Sequence, residues 1–156
     1  MKHLKQVITT LILLLTVSAF GQTPKVMVFV ETSFVNRKSI YLYTIINQSS
    51  LPIWKIDLGR EQTDDPILDL EPLDVTSPKN WQGRSRWLEE SFPKRFLITW
   101  KQPQTLTLKS ALVSPGETKS GFQVILPKAS HSYLCCPFTV SFVSGGAYSG
   151  VVSTRK

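Results

Sequence analysis

The sequence predicts an all-β protein: a single β-sandwich of about seven to nine antiparallel strands that follows a cleaved signal peptide. Three observations predict this class. Short runs rich in β-branched and aromatic residues alternate with a period of two. Gly, Pro, Asn and Ser clusters separate these runs. Helical periodicity is nearly absent after the N-terminal segment.

The alternation places individual strands along the chain. In the run at 39–47, for example, Tyr41, Tyr43 and Ile45 have one parity and Ile40 and Leu42 the other. At about 3.3 Å per residue, runs of this length are typical of strands in sandwiches. The predicted strands are 25–34, 39–47, 53–58, 82–88, 96–100, 106–113, 120–126, 132–143 and 147–153.

Two apolar rows are predicted to meet between the sheets. Each is formed by residues of a single parity, so each lies on one face of its strand. We expect both rows to be buried. The rows are Val26, Val28 and Val30 in the first strand, and Phe138, Val140 and Phe142 near the end of the chain.

Turn residues predict the connections. Gly145 and Gly146 suit a two-residue hairpin, because both can adopt a positive φ. Pro66, Pro72 and Pro78 recur too closely for a helix or a central strand, which predicts one long loop over 59–80.

The N-terminus has the three parts of a secretory signal peptide. Lys2 and Lys5 precede an apolar run at 6–17, and Ala19-Phe20-Gly21 supplies small residues for cleavage before Gln22. Val17-Ser18-Ala19 is a competing site. The run is too short to span a bilayer of ~30 Å. We therefore expect a signal peptide at 1–21, a domain at 22–156, and a secreted or periplasmic protein without a membrane anchor.

Composition argues against an enzyme. The full chain has 18 basic and 11 acidic residues, a net charge of +7. His131 is the one histidine left after cleavage, and we expect an exposed loop residue there rather than a general base. No Gly-x-Ser-x-Gly or phosphate-binding glycine motif is present, so neither a nucleophilic serine nor a cofactor is predicted.

Cys135 and Cys136 are adjacent, which disfavours a disulfide between them. Neighbouring Cα atoms are ~3.8 Å apart, below the usual disulfide range of ~4.4–6.8 Å. In a strand their side chains also point to opposite faces. Cys136 is predicted in the core, with Cys135 facing outward or under a loop. A strained vicinal disulfide and an intermolecular bond through Cys135 are the alternatives.

An acidic segment and a sequon are two further candidate sites. Six carboxylates lie between positions 61 and 74, and Asp64, Asp65 and Asp69 are weak calcium candidates because calcium prefers clustered oxygens. Their spacing matches no calcium-loop pattern, so a solvated loop is the alternative. Asn47-Gln48-Ser49 is a formal glycosylation sequon in a predicted turn.

Basic and aromatic residues interleave at 79–101. Trp81, Arg84, Arg86 and Trp87 are the candidate ligand-binding residues, since this mixture could grip an acidic glycan. Export argues against a nucleic acid partner. The alternative is a two-sided strand, with Trp87 in the core and both arginines in water, where they could pair with the acidic segment.

Two stretches resemble bacterial immunoglobulin-like and fibronectin-III-like modules. They are residues 43–53, Tyr-Thr-Ile-Ile-Asn-Gln-Ser-Ser-Leu-Pro-Ile, and residues 114–127, which begin Ser-Pro-Gly-Glu-Thr. More loosely, Trp81, Gly83, Glu90 and Trp100 look like positions in uncharacterised secreted bacterial proteins of this type. The resemblance implies an immunoglobulin-like β-sandwich and no activity.

The sequence therefore predicts an exported, non-enzymatic binding or structural module whose partner is a protein or a glycan. The first alternative is a carbohydrate-binding module that uses exposed Trp and Arg side chains of residues 81–101. Coplanar, solvent-exposed rings among Trp81, Trp87 and Trp100 would favour it. The second alternative, an exported hydrolase, requires His131 within reach of a serine and a carboxylate.

Overall fold

A computed structural model describes residues 25–59, 68–88, 94–103 and 111–155. These residues form ten strands and one turn of helix. The predicted signal peptide lies outside the described residues. The elements are β1 (Val26–Val35), β2 (Lys38–Asn47), β3 (Ile53–Leu58), β4 (Asp74–Thr76), β5 (Gln82–Leu88), β6 (Arg95–Lys101), β7 (Thr118–Leu126), α1 (Ser132–Cys135), β8 (Pro137–Phe142), β9 (Ala147–Val151) and β10 (Ser153–Thr154).

The strands form two five-stranded sheets. Sheet A has the order β10-β1-β2-β7-β4, and sheet B has the order β5-β6-β3-β8-β9. The predicted all-β sandwich is confirmed. One pairing differs from the antiparallel expectation, because the two-residue β10 lies parallel to β1. The predicted strand at 147–153 is interrupted at Val152, whose buried side chain separates β9 from β10.

Both predicted apolar rows are buried, as expected. Val26, Val28 and Val30 are at most 2% exposed, and the row from Phe138 to Phe142 at most 7%. Between them, the fully buried Trp100 packs against Tyr43 and Phe122, with ring centroids 5.6 and 5.5 Å apart. This core follows from the period-two pattern, because one parity of each strand faces the other sheet.

Gly83 makes room for that tryptophan. It pairs with Trp100 across β5 and β6, and a Cβ atom at Gly83 would lie 2.9 Å from the Trp100 ring and from Val75. No side chain fits at that distance, so a glycine is needed where the two sheets approach at this edge.

The predicted strand at 132–143 is wrong in its first third. Residues Ser132–Cys135 form α1, and β8 begins at Pro137. The two cysteines therefore do not alternate across a strand: Cys135 ends the helical turn and is half-buried, and Cys136 is extended and fully buried. Both thiols are free. Burial, together with the neighbouring Cys135, raises the pKa of Cys136 to about 12.

Two hairpins differ from expectation. A two-residue turn at Asn36 and Arg37, both with positive φ, joins β1 to β2 and is the primed geometry of tight hairpins. Asn in the left-handed region is the signal that could have predicted it. The Gly145-Gly146 hairpin exists, but its turn is centred on 143–144, since the N–H of Gly145 donates to the carbonyl of Phe142 at 3.1 Å.

The predicted loop at 59–80 contains a strand. β4 pairs with β7, so the loop prediction is wrong at Asp74–Thr76. Pro72 and Pro78 flank this short edge strand rather than interrupt it. Of the predicted strand 106–113, residues 106–110 lie outside the described ranges, and Val113 bridges Ile53.

Candidate binding site

The outer face of sheet B carries a polar row with one residue from each strand. Arg84, Thr99, Asp57, Thr139 and Ser149 are successive cross-strand partners from β5 to β9. The hydroxyl of Thr99 donates to Oδ1 of Asp57 at 2.6 Å, and the hydroxyls of Thr139 and Ser149 are 2.9 Å apart. Cross-strand hydrogen bonds of this kind stabilise the sheet and restrain these side chains, of which Thr99 and Asp57 are buried.

Three further cations flank this row: Lys55, Arg86 and Lys101. Together with Arg84 they form what we name the cationic face. Lys55 and Lys101 are directly opposite partners on β3 and β6, and Lys101 lies diagonally from Arg84. Asp57 is the carboxylate among them, and its Oδ2 accepts an ion pair from Nζ of Lys55 at 2.7 Å.

The direct opposition of Lys55 and Lys101 is expected to lower the stability of the fold. Like charges directly opposite in an antiparallel pair are destabilising by an amount on the order of 0.2–1 kcal/mol. Asp57 offsets the charge of Lys55, while Lys101 has no ion pair within the described part of the chain. An anion bound over the pair would relieve the repulsion. Local violations of this kind are typical of functional surfaces.

The structure separates the predicted ligand-binding residues. Arg84 and Arg86 are exposed on the outer face, as the parity of β5 predicts. Trp81 is 6% exposed, packs edge-on against Phe122 and donates its indole N–H to the carbonyl of Ala111. The prediction that Trp81 contacts a ligand is therefore wrong, because its ring belongs to the core.

Trp87 also differs from expectation, since the alternative interpretation placed it in the core. It is 47% exposed on the opposite face of β5 from the arginines, and Nζ of Lys94 lies 5.0 Å from its ring centroid. Val75 of the three-residue β4 covers Gly83, but Trp87 is four residues further along, about 13 Å. The opposing sheet ends before it reaches Trp87.

In the carbohydrate-binding alternative, a glycan would stack on coplanar, solvent-exposed tryptophan rings. Trp81 and Trp100 are buried, and both indole N–H groups are hydrogen-bonded, that of Trp100 to the carbonyl of Thr76 at 2.8 Å. Trp87 alone of the three predicted rings is exposed. Recognition at this face would therefore depend on charge more than on stacking.

Asp69 lies beside two serines. Its Oδ1 accepts hydrogen bonds of 2.7 Å from the hydroxyls of Ser130 and Ser132. Burial raises the pKa of Asp69, but these two hydrogen bonds outweigh it and the pKa lies below its ordinary value. The carboxylate thus binds both hydroxyls directly and clamps the segment that carries them.

His131 does not complete a catalytic triad with this cluster. Its side chain is exposed and makes no hydrogen bond to the serines or Asp69 within the described residues. A nucleophilic serine needs the imidazole between itself and the carboxylate. In the described structure the two serines hydrogen-bond to Asp69 and to each other.

The calcium candidates do not come together in the described residues. Asp64 and Asp65 lie outside the described ranges, and both serine hydroxyls already occupy one oxygen of Asp69. In the described ranges, no group of three or more His, Cys, Asp or Glu side chains is placed to hold a metal ion. Nor does any helix there have the length and apolarity that crossing a membrane requires.

Asn47, the residue of the sequon, is fully buried. Its amide donates to the carbonyls of Leu51 at 2.9 Å and Val113 at 2.8 Å, and its Oδ1 accepts from the N–H and hydroxyl of Ser49. The side chain closes the turn between β2 and β3. It is inaccessible to a glycosyltransferase in the folded protein.

Comparisons with known proteins identify the fold. No family model and no curated protein matches the chain. The solved structure of an uncharacterised Nocardia farcinica protein with an immunoglobulin-like fold superposes with a TM-score of 0.55. The identity is 12%, over 79% of this chain and 82% of the other. This protein is therefore an immunoglobulin-like β-sandwich.

A second similarity is weaker. It is to the GH20 exo-β-N-acetylglucosaminidase of Vibrio harveyi, with a TM-score of 0.41 and 12% identity. The match covers 84% of this chain and 18% of the Vibrio chain.

Proposed function

We propose that this protein is a non-enzymatic binding module that holds an acidic polysaccharide on its cationic face. The observation that carries the proposal is the directly opposed pair Lys55–Lys101, with Arg84 on the diagonal. The hydrogen bonds Thr99–Asp57 and Thr139–Ser149 and the ion pair Lys55–Asp57 order this face, and closely spaced cations suit the repeated anions of a polymer. The N-terminal sequence predicts export, where acidic glycans are the common anionic polymers.

Charge complementarity sets the expected behaviour. Binding should weaken steeply with salt, because each ion pair formed at the surface releases counterions. Several cations of the cationic face can contact one polymer at the same time, so a chain of several sugar residues is the expected ligand.

The test compares two double variants of equal net charge. Arg84→Gln/Lys101→Gln removes two cations from the cationic face, and Lys79→Gln/Lys128→Gln removes two exposed lysines elsewhere. Affinity for heparin and for polygalacturonate is measured by calorimetry at low and physiological salt. We expect the first variant to lose about tenfold in affinity and the second less than twofold, since exposed ion pairs each contribute modestly.

Two results would contradict the proposal. Equal losses in both variants would show that net charge alone attracts the polymer. Tighter binding of single-stranded DNA than of either glycan would assign the face to nucleic acid instead. A neutral dextran serves as the blank.

A further inference from the structure

The hairpin of β1 and β2 is exposed at its turn and along its β1 side, while β2 stays paired with β7 as far as Ser39. The two strands pair in register up to the turn at Asn36 and Arg37, yet the residues from Glu31 to Lys38 are all exposed. Phe34 is 69% exposed and Val35 49%. Large exposed apolar residues near a tight turn mark this part of β1 as a candidate interaction surface.

The edge of β1 that faces away from β2 is open beyond Val30. The N–H of Arg155 donates to the carbonyl of Val30 at 3.1 Å, so the backbone groups of Val30 point away from β2. Because these groups alternate along a strand, those of Thr32 and Phe34 point the same way. β10 pairs with β1 at Phe29 and Val30 and no further. In the described structure no strand covers the edge from Thr32 to Phe34.

Clefts flank this edge. One, of about 480 Å³, lies between Phe34 and the segment Ala129–His131. Another, of about 600 Å³, lies beside Glu31 and Arg155. Thr32 and Leu134 line both clefts. Because the two clefts share these residues, we call them together the groove. The apolar side chain that α1 contributes to it is that of Leu134.

The far wall of the groove is held in place by buried tyrosines. The hydroxyl of Tyr41 donates to the carbonyl of Ser130 and accepts from its N–H, both at 2.8 Å. The hydroxyl of Tyr43 donates to the carbonyl of Tyr133 at 2.8 Å. A wall fixed in this way loses little conformational entropy when a ligand binds.

The rim of the groove selects for charge. Arg37 and Lys38 lie at the hairpin tip, and Arg155 lies at the other end of the groove, where its Nη1 is 3.5 Å from Oε1 of Glu31. A second carboxylate near the groove, Asp69, accepts hydrogen bonds from Ser130 and Ser132. A segment with acidic side chains would therefore be attracted. Phe34 and Leu134 offer apolar contacts to every second residue of an extended chain.

We propose that the open edge of β1 at Thr32–Phe34 docks an extended peptide from a partner protein, with alternating acidic and apolar side chains. The peptide pairs with β1 on the same edge as β10, but further along the strand, at Thr32–Phe34. Backbone hydrogen bonds to Thr32 and Phe34 supply affinity, and the groove supplies specificity. This surface lies on sheet A and does not depend on the cationic face of sheet B.

The probe is an acetylated, amidated heptapeptide of alternating glutamate and valine, titrated into the intact protein. Thr32→Pro removes the edge N–H without touching a bond to β2, and Thr32→Val keeps it. We expect about a tenfold loss of affinity with Thr32→Pro and less than threefold with Thr32→Val. The same peptide N-methylated at alternate residues should bind as weakly to the parent as the parent peptide binds to Thr32→Pro.

Several outcomes would overturn the proposal. Equal binding of the N-methylated peptide would show that no strand is added. Equal binding of a lysine–valine peptide would remove the charge argument. A concentration-dependent dimer in sedimentation, abolished by Thr32→Pro, would assign the edge to a second copy of this chain. Thermal melts of each variant verify that the fold is retained.

Discussion

Phe142→Ala is expected to lower the free energy of unfolding by about 3–5 kcal/mol, since truncation of a core phenylalanine leaves a cavity as well as losing buried area. Phe142 is 7% exposed and pairs with Ile53, which is fully buried. A domain of this size has only ~5–15 kcal/mol of stability. The urea midpoint should therefore fall markedly.

Arg84→Ala is the control for this prediction. The arginine is exposed on the outer face of β5, so its loss should leave the midpoint nearly unchanged. If Arg84→Ala proved more damaging than Phe142→Ala, the outer face of β5 would be interior. The cationic face would then not exist.

Asn47→Ala is expected to cost about 2–4 kcal/mol. Four hydrogen bonds converge on this buried amide, and each contributes about 0.5–1.5 kcal/mol. Its removal leaves the N–H of Ser49 without its acceptor, while the carbonyls of Leu51 and Val113 still accept from Ser49 Oγ and from the N–H of Ile53. Each unsatisfied buried group costs ~1–3 kcal/mol. Chemical denaturation measures the loss.

The neighbouring amide provides a matched control. Gln48 is exposed, so Gln48→Ala should change the midpoint little. Similar effects for both variants would mean that the turn tolerates any residue at position 47. The sequon would then be free to serve as a modification site.

Much of the fold is predictable from local patterns. Val26, Val28 and Val30 are buried because period-two alternation is enforced wherever one sheet faces another. α1 and β4 were missed because both are too short for any periodicity, and each is held by tertiary contacts. Tyr133 anchors α1 through the carbonyl of Leu70 at 2.7 Å.

The candidate site is less predictable. The sequence shows that Arg84 and Arg86 share a face, but it cannot show that Lys55 lies opposite Lys101, because that depends on the register of β3 against β6. Nor does the sequence show that Trp81 is buried, or that Trp87, which the alternative interpretation placed in the core, is exposed. Whether Trp81 or Trp87 is covered depends on how far the opposing sheet extends.

The open edge of β1 could not be predicted from the sequence either. It follows from β10 ending after two residues, and no local pattern sets that length. The turn at Asn36 and Arg37 was the one available sequence signal, since Asn favours the positive φ of the tight turn that ends β1.

The most direct test of the account is to measure stability and glycan affinity together in Lys101→Gln. Lys101 opposes Lys55 across β3 and β6, so its neutralisation removes a repulsion. We predict a melting temperature that is unchanged or raised, with heparin affinity reduced several-fold at low salt. A lower melting temperature with unchanged affinity would contradict the claim that the opposed lysines are kept for binding an anion.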